Sequence, residues 1–275
     1  METNTNIAMP VDGLIEKFVP AFFGEDASLY GCYHNTKESQ AAAAILICQP
    51  TGHEYERCHR AMRQLAVQAA RKGIAAMRFD YYGTGDSAGD AEETTLDSMR
   101  QDIEQAIDAC KGQTGSKHLT LVGLRLGATL AAQVASTCND IESLVLYAPV
   151  LDGESLLAEW RDVQQVFDRK HSHTSQKTDS GEILGFPVTE AFQKELANEF
   201  SITTTNSTLK RVLILADEAE TESAILKNWV NIFKSHGVKV TVEIPENLAI
   251  WRREAIESIV PIKTIRRVVK WIIEN

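Results

Sequence analysis

Positive charge is scarce in this sequence: 28 lysines and arginines stand against 38 aspartates and glutamates, a formal net charge of −10. The basic residues are scattered, so the concentrated cationic face that nucleic acid binding requires is missing. Cysteine is too sparse to build a scaffold. Cys32, Cys48, Cys58, Cys110 and Cys138 are an odd number without a CxxC pair, which argues against a disulfide framework or a thiolate metal site. No apolar run approaches the roughly eighteen uninterrupted residues of a membrane span. The opening METNTNIAMPVDG has no basic run ahead of an apolar stretch. The expectation is a cytoplasmic chain with reduced thiols, no membrane span, no nucleic acid partner, and no metal or cofactor.

What is present is an ordinary globular composition, 44% hydrophobic and 24% charged over 275 residues, enough for one large core. The run AAAAILIC at 41–48, ended by Pro50 and Gly52, reads as a strand buried on both faces. Over 56–71, Cys58, Met62, Leu65, Ala66, Ala69 and Ala70 recur at helical spacing and Gly73 supplies a stop. Further strands are predicted at 74–79, 118–122 and 143–147, with helices at 94–111 and 126–136 between them. This alternation is the pattern of a parallel sheet covered by helices on both faces. It lapses over 151–209, where helical patterns at 155–167 and 189–200 flank the polar stretch 169–181. It resumes with a strand at 211–215, a helix at 221–235, a strand at 239–244 and a helix at 262–273. The organisation implied is a core of 1–150 and 210–275 with a lid inserted at 151–209.

The stretch LTLVGLRLGATLAA at 119–132 sets a strand directly against a helix, with Gly123 and Gly127 bracketing Arg125. That frame resembles the GxSxG nucleophile elbow, whose glycines let strand and helix pack closely around a strained turn. With the element order, the chain resembles the α/β-hydrolase superfamily over nearly its whole length. RFDYYGTGDSAGD at 78–90 is similar to the loop after the fourth strand in serine-aminopeptidase-like hydrolases. QPTGHEYERCHR at 49–60 occupies the place of the oxyanion loop. The segment GLRLGA is similar to one in hydrolase-like proteins linked with exosortase systems.

The resemblance implies three roles: a serine at the elbow, an acid after the penultimate strand, and a histidine after the last strand. At the elbow stands Arg125, whose permanently protonated guanidinium can neither attack a carbonyl nor accept a proton. Asp217, ending RVLILAD, fills the acid's place, with Glu218 and Glu220 behind it. A solvated strand-end carboxylate reads the same way. None of the seven histidines follows the last strand. Asn247 or Trp251 falls where the imidazole would be, and neither shuttles protons near neutral pH.

Several readings stay open at this level. Arg125 either binds a carboxylate, phosphate or other anion at the helix N-terminus, or pairs internally with Glu54, Asp80, Asp86 or Asp217. His53 and Glu54 are either a relocated acid/base pair or ordinary loop polarity. Ser87, beside Asp86, is either a nucleophile or a backbone cap. His171 and His173 form an HxH pair without a third ligand nearby, and Cys48 and Cys138 read as packed thiols. Trp160 and Trp251 line an apolar pocket or belong to the core.

Three functions compete. The first is a hydrolase-like protein that has lost its Ser-His pair and binds a small acyl or anionic ligand. The second is an enzyme of another mechanism, with Arg125 stabilising an anion while His53, Glu54 or Asp80 handles protons. The third is a partner subunit of a biosynthetic assembly, docking through the lid or an edge strand.

Overall fold

The computed structural model describes residues 10–11, 14–15, 18–36, 41–170, 181–197, 200–246, 248–254 and 259–274. Its central sheet has eight strands: β1 (Phe18–Phe23), β2 (Leu29–His34), β3 (Ala43–Cys48), β4 (Ile74–Phe79), β5 (Leu119–Leu124), β6 (Ile141–Tyr147), β7 (Arg211–Leu215) and β8 (Lys239–Glu243). They lie in the order β8-β7-β6-β5-β3-β4-β2-β1. β1 and β2 pair antiparallel, β2 joins β4 antiparallel, and all other pairings are parallel. This is an α/β-hydrolase sheet, as the resemblance implied.

Among the described residues, eight α-helices accompany it: α1 (His53–Arg71), α2 (Leu96–Thr114), α3 (Leu126–Thr137), α4 (Gly153–Lys170), α5 (Glu190–Leu196), α6 (Glu218–Glu222), α7 (Ala224–Ser235) and α8 (Ile262–Ile273). Strand side chains alternate between two cores, one on each face. Ile45, Val145 and Leu213 pack with Cys58 and Ala66 of α1 and Ile265 and Val269 of α8. Leu46, Leu144 and Val212 pack with Met99 of α2, Leu130 of α3 and Trp229 of α7. Burial on both faces explains why these strands read as continuous apolar runs.

The structure adds an N-terminal hairpin, β1–β2, that the sequence pattern did not reveal. Its residues FVPAFF and LYGCYH mix Pro20, Gly31 and aromatics without clean alternation, and packing decides their state. At Gly31 an added Cβ would lie 2.8 Å from the Met77 methyl, so the strand approaches β4 closely. α1 starts at His53, three residues earlier than predicted, because Gly52 turns the chain at φ 60° directly before it. His53 and Glu54 therefore belong to the first turn of α1 and not to a loop. The helix expected at 221–235 is two helices, broken where Ser223 caps α7. α5 stops at Leu196, short of the predicted 200.

Between β6 and β7, α4 and α5 pack together, with Gly153 set against the Leu196 carbonyl. A two-residue ladder, Glu182–Ile183 with Phe186–Pro187, lies between them. Asn206 fixes the returning chain, its amide donating to the carbonyls of Ala135, Cys138 and Ile141 at 2.7–3.1 Å. Among the described residues no helix is long and apolar enough to cross a membrane.

Candidate active site

The turn between β5 and α3 has the geometry of an elbow. Arg125 sits at φ 55°, ψ −126°, a strained backbone for a residue with a side chain, and its N–H donates to the Tyr147 carbonyl at 3.0 Å. The flanking glycines are there because nothing larger fits. A Cβ on Gly123 would lie 2.3 Å from the Ala128 Cα, and one on Gly127 2.2 Å from the Gln49 carbonyl oxygen.

The Arg125 side chain is buried and ion-paired through Nε and Nη2. Its Nε donates to both Glu54 carboxylate oxygens at 3.2 Å, and its Nη2 donates to Glu54 Oε1 at 3.1 Å. The same Nη2 donates to Glu159 Oε2 at 2.5 Å. Trp251, from the segment after β8, lies over the guanidinium, with Cζ 4.2 Å from the ring centroid. The internal pair with Glu54 is thus realised, and Asp80, Asp86 and Asp217 are not its partners. Glu159, on α4, is the partner that sequence reading missed.

The two carboxylates are satisfied in turn. Glu54 Oε1 accepts from Trp160 Nε1 at 3.0 Å. Glu159 Oε1 accepts from Trp251 Nε1 and from Arg252 Nε, both at 2.9 Å. Two guanidinium groups and two carboxylates therefore close a charge-balanced network under two indoles. Burial opposes the charge of Arg125, but Glu54 and then Glu159 outweigh it and raise its pKa. Burial likewise opposes ionisation of Glu159, and Arg125, Trp251 and Arg252 overcome it to lower its pKa.

His53 sits beside this network, its ring 5.6 Å from that of Trp160, edge to face. Burial, then Arg57 and Arg125, push its pKa down to about 3, against a smaller opposing pull from Glu159. The imidazole is neutral at physiological pH. Among the described residues, the serine–histidine hydrogen bond is that of Ser235 with His236 at 3.2 Å, neighbours at the exposed end of α7.

The other predicted site residues lie apart from Arg125. Asp217 is exposed and caps α6: its Oδ1 accepts from the Glu220 N–H at 2.7 Å, and Glu220 reciprocates to the Asp217 N–H at 3.1 Å. Asp80 is buried and accepts from Tyr55 Oη at 2.8 Å, Gln49 Nε2 at 3.3 Å and the Asp86 N–H at 3.1 Å. Ser87 donates to the Asp80 carbonyl at 2.6 Å and accepts from the Tyr30 N–H at 2.9 Å. Asp80 and Ser87 thus hold the loop after β4 in shape. Asn247, His171 and His173 lie outside the described residues. Among those described, no group of three His, Cys, Asp or Glu side chains is arranged to hold a metal ion.

A cavity of about 340 Å³ opens one layer away, lined by Tyr55, Thr84, Thr94, Phe186, Thr189 and Phe192 among others. Trp160 stands between it and Arg125. One edge of its indole hydrogen-bonds Glu54, and the other reaches Gly52 at the cavity wall, where an added Cβ would lie 3.8 Å from Trp160 Cη2. A more open depression of about 480 Å³ is lined by Arg125 itself, with Val150, Leu156, Glu159, Glu220 and Ile225.

A family model described as serine aminopeptidase, S33 matches residues 39–202. Among solved structures, the α/β hydrolase GrgF from Penicillium sp. sh18 is similar at TM-score 0.61 and 15% identity, covering 94% of this chain and 98% of that one. The bottromycin epimerase BotH, solved with bottromycin A2, is similar at TM-score 0.59 and 12% identity, covering 92% and 98%. Est1E from Butyrivibrio proteoclasticus is similar at TM-score 0.56 and 16% identity, covering 93% and 98%. At such identities the likeness concerns the fold alone. Comparison with curated protein sequences yields no match.

Proposed function

The chain belongs to the serine aminopeptidase S33 family, and from that premise we propose that it has left serine hydrolysis and uses the family scaffold to bind a small acyl ligand. The observation that carries this reading is the state of Arg125. It occupies the elbow tip, where the family would place its nucleophile, and its guanidinium is spent on Glu54 and Glu159. A group that cannot lose its proton performs neither attack nor general-base catalysis.

The ligand site is the cavity beyond Trp160, with the segment 151–209 as its lid. A volume of about 340 Å³ suits a small molecule. Phe186, Pro187 and Phe192 supply apolar wall, and Thr84, Thr94 and Thr189 supply hydroxyls. The ionisable carboxylate on the wall is Glu56, so an uncharged acyl group is favoured over its anion.

The rival reading, an enzyme with Arg125 as anion stabiliser and His53, Glu54 or Asp80 as proton carriers, has less behind it. Arg125 is already neutralised by two carboxylates, Asp80 is committed to the loop after β4, and His53 is too weak a base. An epimerase on a similar fold keeps proton-transfer chemistry as the comparison to test against.

The reading predicts no labelling by a fluorophosphonate probe and no turnover of p-nitrophenyl acetate. Thermal-shift titration with methyl hexanoate should raise the melting temperature more than hexanoate does, and Thr84→Phe, which fills the cavity, should abolish the rise. Labelling of a single serine, or stabilisation indifferent to Thr84→Phe, would count against it.

A further inference from the structure

The two edges of the sheet differ. β1 carries Pro20 in its middle, and proline offers no N–H to an incoming strand. β8, KVTVE, has no such device. It pairs with β7 in unbroken register from Arg211↔Lys239 to Leu215↔Glu243. Val242 is 40% exposed and the following Ile244 61%. Among the described residues no strand pairs with its outer side.

The direction of the free backbone groups follows from the bonds to β7. The Lys239 N–H donates to the Lys210 carbonyl at 2.9 Å, and the Glu243 carbonyl accepts from the Ala216 N–H at 3.1 Å. In a parallel ladder alternate residues face alternate neighbours. Residues 239, 241 and 243 therefore face β7, and Val240 and Val242 present their N–H and C=O outward.

The strand is complementary to itself when a second copy runs antiparallel about Thr241. Lys239 then faces Glu243, Val240 faces Val242, Thr241 faces its own counterpart, and Val238 faces Ile244. Val240 and Val242, the residues with outward backbone groups, become each other's partners and exchange both hydrogen bonds on either side of the axis. A one-residue slip sets outward groups against inward ones. A two-residue slip restores the bonds but places Lys239 opposite Thr241 or Pro245, leaving the charges unmatched.

We propose that β8 pairs with β8 of a second copy of this chain, antiparallel about a two-fold axis at Thr241, so that one sheet continues across two molecules. Glu243 is already held by Arg267, with Nε at 3.0 and 3.1 Å from its two oxygens. The Lys239 of the second copy approaches the same carboxylate from the open side.

Sedimentation equilibrium of the full chain should give twice the chain mass. Under mild oxidation Thr241→Cys should form a disulfide-linked dimer, because Cα atoms of a non-hydrogen-bonded antiparallel pair lie about 4.5 Å apart, within disulfide reach. Glu243→Cys should not, since its counterpart lies four residues along the strand, about 13 Å away. Wild type, with its five free cysteines, sets the background. Val242→Pro removes an N–H that β7 does not use and should yield a folded monomer by circular dichroism; Val242→Lys is the second variant. A wild-type mass equal to one chain overturns the proposal. So does cross-linking of Thr241→Cys no stronger than that of Glu243→Cys, or a dimer surviving in both Val242 variants.

Discussion

Glu54 Oε1 lies 3.1 Å from Arg125 Nη2, with the two side chains 1% and 5% exposed. The contact joins the first turn of α1 to the tip of the β5–α3 turn, and Glu159 extends it to α4. Charges this deep are tolerated because each is paired and hydrogen-bonded, and removing one partner strands the other.

Arg125→Met should therefore cost about 3–5 kcal/mol of unfolding free energy, since it leaves Glu54 buried and uncompensated. Adding Glu54→Gln should recover part of that loss, an interaction of roughly 0.5–3 kcal/mol in a double-mutant cycle. Urea denaturation of the four proteins measures it, and strictly additive losses would contradict the coupling. Arg125→Ser should gain no esterase activity, because among the described residues the imidazole beside this network, His53, is too weak a base to take the hydroxyl proton.

Trp160→Phe keeps an aromatic ring over Gly52 but withdraws the N–H that Glu54 accepts. A hydrogen bond to a charged group contributes about 1.5–3 kcal/mol, so a loss in that range is expected from the denaturation midpoint. A neutral result would show that the indole serves as packing alone.

Gly127→Ala should be among the most damaging single changes. Its Cβ would fall 2.2 Å from the Gln49 carbonyl oxygen and 2.5 Å from that of Cys48, both backbone atoms that cannot step aside. Overpacking of this kind costs about 1–3 kcal/mol or more. Asp217→Ala, by contrast, should cost only about 1 kcal/mol, the worth of a helix cap. Differential scanning calorimetry of the two variants would show the contrast.

Acidification should destabilise the fold. His34 and His53 are held neutral, each with its pKa lowered to about 3. Burial is the main cause for both, aided by Arg78 and Arg63 at His34 and by Arg57 and Arg125 at His53. Unfolded imidazoles titrate near 6.5, so below that pH the unfolded chain binds more protons; the stability present above pH 6.5 is lost as pH falls. Asp102 works the other way. Burial raises its pKa to about 6, so its contribution is present at low pH and lost as pH rises through that value. These two histidines against this one aspartate contribute a fall of about 1.4 kcal/mol per pH unit between pH 6 and 4, and His59, also held low by burial, acts in the same direction. Asp102→Asn should steepen it, and urea midpoints that stay level from pH 7 to 5 would refute the assignment.

Much of this was legible in the chain itself. The runs AAAAILIC, LTLVGL and RVLIL announce buried parallel strands because burial on both faces demands uninterrupted apolar residues. Gly123 and Gly127 mark the elbow because close backbone approach leaves no room for a Cβ. The amphipathic helix 262–273 is where its periodicity put it, since packing on one face and solvent on the other are both written locally.

Tertiary structure alone decided the rest. The partners of Arg125 come from positions 54, 159 and 251, and nothing local in the sequence ties a carboxylate in α4 to a guanidinium 34 residues earlier. Asp217 and Ser87, which carry the chemistry's residue types, are taken up by a helix cap and a loop because their nearest donors and acceptors are backbone groups. Sequence determines which side chains exist and which backbone conformations they prefer. Only the folded chain determines which of them lie within hydrogen-bonding distance, and in this protein that distance turned the arginine at the turn into the centre of an internal ion network.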